Sequence, residues 1–188
     1  FNQVNFELGI NKLNEIKIPK FYIYGNHDIK DYSDCAPIEK VRLNEGDIIY
    51  SQNMFEEGKF FKLYGQVLNI FLDSTIYDFE DCELIENSCY KSIFPNKIKL
   101  ELRTIGDIKT FQLKKAKEVI STYTGVISDI IFHFHHPVFS IKRKTSKDVI
   151  KLDISKGLIQ FYSELKESII GKKIYHICSD THFYEKGK

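Results

Sequence analysis

Three strand-like apolar runs of this chain each end in side chains that can bind a metal ion or a phosphate, and this pattern constrains the fold most strongly. The runs are residues 21–23 before Gly25-Asn26-His27-Asp28, residues 130–134 before His135-His136-Pro137, and residues 173–178 before Ser179-Asp180-Thr181-His182. Imidazole and carboxylate groups are common metal ligands. Because ligands of an α/β sheet gather at the carboxyl ends of its strands, we expect the three polar stretches to converge on one sheet edge.

Helical periodicity separates these runs along the chain. Apolar residues spaced by three and four positions predict helices over residues 1–18, 110–123 and 154–170, and Pro19 ends the first of them. Helices that alternate with buried strands indicate an α/β sheet with helices on its outside.

A hairpin is predicted in the middle of the chain. Two strand-like runs, residues 59–64 and 67–72, flank Gly65-Gln66, a pair of residues that suits a two-residue turn. Polar, aperiodic composition predicts loops over residues 29–58 and over the basic segment 142–147. Long loops often contribute to substrate pockets.

Composition limits the class of protein. The 188 residues predict a single domain spanning 1–188, and a hydrophobic content of 43% indicates a globular chain. The net charge of +1 gives no reason to expect nucleic acid as an obligatory partner. No continuous apolar stretch of about 18 residues is present, so no membrane span is expected.

The four cysteines contain no Cys-x-x-Cys pair, which disfavours a structural zinc site. Cys82 and Cys89 are close enough in sequence to close a small disulfide loop. A chain of this size needs no such staple, so we expect reduced thiols and an intracellular, cytoplasmic setting.

The polar stretches resemble the third, fourth and fifth motifs of the calcineurin-like metallophosphoesterase superfamily, in family order. The segment His135-His136-Pro137-Val138-Phe139-Ser140 is similar to the form seen in the purple acid phosphatase branch. The resemblance implies an αββα sandwich of two mixed sheets flanked by helices. It also implies a dinuclear centre of divalent or trivalent transition-metal ions, which are iron, manganese or zinc, at one sheet edge.

The resemblance also implies roles for single residues. Asn26 and His135 would bind the second metal, and His27 would face the phosphate and assist the leaving group. The fifth motif is usually Gly-His-x-His, so Asp180 would take the second metal and His182 the first. A carboxylate at position 180 adds negative charge and shifts the preference towards harder ions.

Residues 175–182 also fit the first family motif, Asp-x-His. That alternative requires a circularly permuted chain, whereas the order of the motifs favours the fifth. Both interpretations place Asp180 and His182 at the metals.

Two family motifs have no counterpart where the family would have them. Asp-x-His and Gly-Asp-x-x-Asp should precede Gly25, and residues 1–20 do not supply them. Gly46-Asp47-Ile48-Ile49-Tyr50 imitates the second motif, but it follows Gly25, so we interpret it as a coincidence. We therefore expect a domain fragment that is incomplete at both ends.

The function implied by the resemblance is hydrolysis of a phosphomonoester or phosphodiester, with a hydroxide that bridges the two metals as nucleophile. The implied partner is a phosphorylated substrate. A catalytically inactive phosphatase-like binding or structural module is the alternative, and a mononuclear zinc-binding protein is a third possibility.

Other polar residues near the strand ends have simpler interpretations. We expect His133 to be a structural histidine or to support a neighbouring metal ligand, and His176 to be packed or surface-exposed. Asp73 is expected to cap a turn. His136 remains open between a substrate contact and a structural residue.

Overall fold

The computed structural model describes residues 60–88, 90, 101–144 and 149–179. It also describes a few positions nearer the start of the chain: Leu8, Asn11, Lys12, Glu15, Ile16, residues 21–23, Gly25 and Ile48–Ile49. Positions 8, 11, 12 and 15 are helical, within the helix that the sequence predicts over residues 1–18.

The described residues form eight β-strands and two α-helices, together with short 3-10 turns. The strands are β1 Phe21–Tyr22, β2 Ile48–Ile49, β3 Phe61–Tyr64, β4 Val67–Phe71, β5 Asp129–His133, β6 Phe139–Lys144, β7 Val149–Ile154 and β8 Lys173–Ile177. The helices are α1 Ile105–Tyr123 and α2 Lys156–Leu165. The 3-10 turns span Thr75–Asp78, Ile85–Asn87 and Lys166–Ile169.

Four of the strands form one mixed sheet in the order β3-β4-β5-β8. The strands β4, β5 and β8 are parallel, and β3 pairs antiparallel with β4. Helix α1 connects β4 to β5, and α2 lies on the path from β5 to β8. The predicted α/β class, with helices alternating with parallel strands, is therefore confirmed.

The predicted hairpin is present between β3 and β4. Tyr64 pairs with Val67, and Gly65 takes a φ of 58°, in the left-handed region that glycine enters without steric cost. This turn sets the register in which β4 enters the sheet, and β4 brings Asp73 and Ser74 to the carboxyl edge.

Helix α1 begins at Ile105, earlier than the predicted start at residue 110. The Thr104 side chain accepts the Asp107 N–H at 3.2 Å, and the Asp107 carboxylate accepts the Thr104 N–H at 2.9 Å. This capping box satisfies amide groups that no helical carbonyl reaches. The Thr-x-x-Asp spacing of this capping box indicates the helix start in the sequence, whereas the periodicity of apolar residues does not.

The hydrophobic core lies between the mixed sheet and the two helices. Burial alternates along β4 and β5, so every second side chain of these strands is directed into the core. The central core residues are Leu68, Ile70, Ile130 and Phe132 from the sheet, Ala116 and Ile120 from α1, and Leu158, Phe161 and Leu165 from α2. Burial of each large apolar side chain contributes about 1.5–3 kcal/mol.

Two predicted loops contain strands. Residues Lys142–Lys144 of the predicted basic loop lie in β6, which pairs antiparallel with β7. The predicted loop 29–58 contains β2, which pairs parallel with β1. Both loop predictions are therefore wrong at these positions, because each strand is stabilised by pairing with a partner strand that local composition does not reveal.

The last predicted helix is shorter than its apolar pattern. Ile154 ends β7, and α2 starts at Lys156 after Ser155, whose Oγ accepts the Leu158 N–H at 3.4 Å. The helix ends at Leu165 and continues as the 3-10 turn Lys166–Ile169.

The structure also bears on two predictions made from composition, which concern a membrane span and the cysteine thiols. No helix in the described part of the chain is long and apolar enough to cross a membrane. Cys82 is exposed and carries a thiol that forms no disulfide. The Cys82–Cys89 bridge, which the sequence permits, is thus absent.

Candidate functional site

The segments that follow β5 and β8 continue side by side beyond the sheet. The Phe134 N–H donates to the Ile177 carbonyl at 2.9 Å, and the Ser179 N–H donates to the His135 carbonyl at 3.1 Å. These backbone hydrogen bonds extend the parallel pairing of the two strands. They bring His135 and Ser179 together at the carboxyl edge of the sheet.

The His135 ring is half-buried at this edge, between Ser179 and Gly25. Its Nδ1 lies 3.2 Å from the Ser179 Oγ. On another side, a Cβ added to Gly25 would lie only 2.7 Å from the His135 Cε1. The missing side chain of Gly25 therefore creates the space that the imidazole occupies.

Gly25, His135 and Ser179 belong to the three polar stretches that the sequence predicts to converge. The structure brings these three residues together. Of the predicted site residues, His135 is described, whereas Asn26, His27, Asp180 and His182 lie outside the described residues. Within the described part of the chain, no group of three or more His, Cys, Asp or Glu side chains is arranged to hold a metal ion.

His136 is held by the segment that follows β4. Its backbone N–H donates to the Ser74 Oγ at 2.9 Å, and its Nδ1 lies 3.0 Å from the same oxygen. Its Nε2 is 3.7 Å from a carboxylate oxygen of Asp78. The centroid of its ring is 4.8 Å from that of His135. Sequence reasoning did not identify Ser74 or Asp78 as neighbours of this histidine.

His176 links β8 to both the candidate site and α2. Its Nε2 lies 3.0 Å from the His136 carbonyl oxygen, and its Nδ1 lies 2.8 Å from the Tyr162 hydroxyl. Because a carbonyl only accepts, Nε2 carries the proton and Nδ1 accepts from Tyr162. Burial lowers the pKa of His176 and raises that of Tyr162, which favours the neutral form of both.

His133 is a structural residue, as predicted. Its Nε2 lies 3.0 Å from the Asn69 Oδ1, and its ring stacks on Phe71 with the centroids 4.4 Å apart. Burial lowers the pKa of His133 to about 4, so the ring is neutral at ordinary pH.

Asp73 anchors a buried polar network beyond the end of β4. Its carboxylate accepts the Thr75 N–H and the Tyr90 O–H, each at 2.7 Å. The Gln112 side chain of α1 accepts the Asp73 N–H at 3.0 Å and donates to the Asp73 carbonyl at 2.9 Å. Burial raises the pKa of Asp73 to about 6. The predicted turn-capping role is confirmed by the bond to Thr75.

The direction of β2 bears on the segment that imitates the second family motif. Ile48 pairs with Phe21, and the two strands are parallel. The start of β2 therefore lies beside the amino end of β1, whereas Gly25 follows its carboxyl end. This direction supports the interpretation of Gly46-Asp47-Ile48-Ile49-Tyr50 as a coincidence.

Comparison with known proteins returned no match. No family model matches the chain. Neither a curated protein nor a solved structure matches it.

Proposed function

We propose that this protein is a metal-dependent phosphoester hydrolase whose active site lies where β1, β5 and β8 end. The observation that carries the proposal is the contact of His135 with Gly25 and Ser179. These residues are far apart in sequence, and each belongs to a different predicted motif. Because β1 belongs to a separate two-stranded sheet, the contact joins the carboxyl ends of strands from two sheets, and ligands of α/β proteins gather at such ends.

The finer fold that we propose is an αββα sandwich. The mixed sheet β3-β4-β5-β8 would form one layer, with α1 and α2 on its outer side, and β1 and β2 would belong to the second sheet. The inner face of the first layer carries apolar side chains, including Phe71 and Ile131, at positions that alternate with the core-facing residues. An apolar second face is expected where two sheets pack together.

The environment of His135 suits a metal ligand. A ligating imidazole commonly hydrogen-bonds through its other ring nitrogen, which fixes the ring orientation. The contact between Nδ1 and Ser179 provides this support, so Nε2 is the nitrogen that we assign to the metal. Gly25 allows the ring to lie close against the backbone.

The residues that adjoin this contact would complete the centre. Asn26 follows Gly25 directly, and Asp180 follows Ser179; both would bind the second metal together with His135. His182 would bind the first metal. Iron, manganese or zinc ions in such a centre supply Lewis-acid polarisation of the phosphate and activation of water.

His27 would provide the proton for the leaving group. It lies in the same motif as Asn26, one residue further along the chain. Proton donation by a positioned imidazole assists departure of an alkoxide and typically raises the rate about 10²–10⁴-fold. The substrate would be a phosphomonoester or a phosphodiester.

Metal analysis tests the proposal directly. We expect the full chain, purified without added metal or chelator, to contain about two transition-metal ions per molecule. The variant His135→Ala should lose the second metal and the hydrolysis of p-nitrophenyl phosphate. The matched control His133→Ala removes an imidazole from the same strand and should keep its metal content.

Two outcomes would contradict the proposal. The first is an absence of bound metal even after incubation with manganese, iron and zinc. This result would leave a phosphatase-like binding module as the function. The second is equal metal content in His135→Ala and His133→Ala, which would reject His135 as a ligand.

A further inference from the structure

Ser74 makes two contacts with one residue of the candidate site. Its Oγ accepts the backbone N–H of His136 at 2.9 Å and lies 3.0 Å from Nδ1 of the same residue. Ser74 is only 1% exposed. Because a buried hydroxyl proton needs an acceptor, the Ser74 O–H donates to Nδ1. The proton of the His136 ring is then on Nε2, which lies 3.7 Å from Asp78.

Ser74, His136 and Asp78 have the composition of a nucleophilic triad, but their arrangement does not suit that chemistry. A nucleophilic serine must reach a substrate, whereas Ser74 is buried. Its oxygen is also engaged by a backbone N–H. The role of this hydroxyl is therefore to hold the turn that contains His135 and His136.

A side chain of β8 and the backbone just beyond that strand hold the same turn on its other side. The His135 carbonyl accepts the Ser179 N–H at 3.1 Å, and the His136 carbonyl lies 3.0 Å from the His176 Nε2. Ser74 supplies the anchor from the end of β4. The position of the His135 ring against Gly25 depends on both sides of this arrangement.

We propose that Ser74 is a positioning residue, which fixes the ring and backbone of His136 and thereby sets where the His135 imidazole lies. The expected consequence for metal binding rests on the proposed function, since it requires His135 to be a ligand. The tautomer of His136 and the position of the His135 ring do not depend on a metal.

Long-range ¹H–¹⁵N NMR spectra of the full chain test the metal-independent part. These spectra distinguish the two tautomers of a neutral imidazole. We expect wild-type His136 to be protonated on Nε2. The variant Ser74→Ala should give a mixture of tautomers at His136 and shifted ring signals at His135.

Ser88→Ala is the matched control. The Ser88 Oγ donates to the Ile85 carbonyl at 2.9 Å and accepts the Tyr90 N–H at 3.2 Å, so this variant also loses a donated and an accepted hydrogen bond. It should leave the signals of His135 and His136 unchanged. The proposal is overturned by a wild-type His136 protonated on Nδ1, a result that needs no folded variant. Unchanged His135 signals in Ser74→Ala would also overturn it.

Zinc titration separates this proposal from the proposed function. Loss of a residue that orients a ligand typically lowers metal affinity about 10–100-fold, and we expect this loss for Ser74→Ala but not for Ser88→Ala. If wild-type protein binds no zinc, iron or manganese, the proposed function fails, and the NMR result alone decides the role of Ser74. If wild-type protein binds zinc and Ser74→Ala binds it equally well, the positioning role is rejected.

Discussion

The ends of β4 and β5 differ in their surroundings, although the two strands are parallel neighbours in one sheet. Asp73 is the second residue after β4, and His135 is the second residue after β5. Asp73 is 3% exposed and bonds inward to Tyr90 and Gln112. His135 is half-buried and contacts residues of two other predicted motifs. A polar residue beyond a strand therefore marks a candidate site only when it stays partly accessible and contacts residues of other predicted motifs.

The largest effect is expected from Asp73→Ala, which tests the structural side of this comparison. The change leaves two buried donors, the Tyr90 hydroxyl and the Thr75 amide, without their acceptor. We expect a loss of about 4 kcal/mol in the free energy of unfolding, because each unsatisfied group costs about 1–3 kcal/mol. Urea unfolding measures the loss.

Asp81→Ala is the control for that variant. Asp81 is an exposed carboxylate whose ion pair with Lys109 has a distance of 2.6 Å. Asp81 is 78% exposed, and Lys109 keeps its hydrogen bond to the Phe79 carbonyl, so the loss should cost less than about 1 kcal/mol. Equal destabilisation by the two substitutions would remove the distinction between a buried network and a surface pair.

Asp73→Asn tests whether ionisation of the buried carboxyl group opposes folding. Burial raises the pKa of Asp73 to about 6 from its ordinary value of 3.8. A raised pKa in the folded state means that the folded form binds the proton more tightly. The stabilisation that the protonated Asp73 carboxyl group provides is fully present below its ordinary pKa and is lost as the pH rises through about 6. The expected loss is on the order of 3 kcal/mol.

The measurement is the difference in unfolding free energy between the wild type and Asp73→Asn, from urea unfolding at a series of pH values. Subtraction cancels the contribution of His133, which both proteins contain. The pKa of His133 is lowered to about 4, so its contribution to stability decreases in acid, whereas that of Asp73 decreases as the pH rises. Stability from His133 is present above its ordinary pKa and falls as the pH is lowered towards 4. A difference that is constant from about pH 4 to pH 7 would contradict the raised pKa of Asp73.

Gly25→Ala tests the surroundings of His135, the second residue of the comparison. The added Cβ would lie 2.7 Å from the His135 Cε1, so the ring or the backbone must move. We expect zinc affinity to fall about 10–100-fold, as for other changes that misorient a ligand. Gly125→Ala is the control, because a Cβ at Gly125 meets nothing within 4 Å. Equal zinc affinity of the two variants would contradict the close approach.

The smallest effect is expected from Ser179→Ala. This change removes the hydroxyl next to the His135 Nδ1 but leaves the backbone bond to the His135 carbonyl. We expect a stability change of about 1 kcal/mol or less, since the contact is exposed. Zinc affinity should fall by about a factor of 10. If Ser179→Ala lost more free energy of unfolding than free energy of zinc binding, Ser179 would have a structural role instead.

Local patterns predicted much of the fold. The β3–β4 hairpin follows from Gly65-Gln66 between two apolar runs, and the apolar run before His135 located β5. Helix α1 was predicted from residue 110 to its end, whereas the capping box of Thr104 and Asp107 sets its start five residues earlier. The strands β2, β6 and β7 were missed, because the pairing partner that stabilises a strand leaves no local signal in the sequence.

The candidate site was predictable to a similar degree. The sequence by itself determined which residues carry metal-binding chemistry and that three such stretches follow strand-like runs. Only the tertiary structure decided that His135 lies against Gly25 and Ser179, that Ser74 holds His136, and that Asp73 is buried with Tyr90. The physical reason is that burial and hydrogen-bond partners depend on segments distant in the chain, whereas propensity and periodicity act between near neighbours.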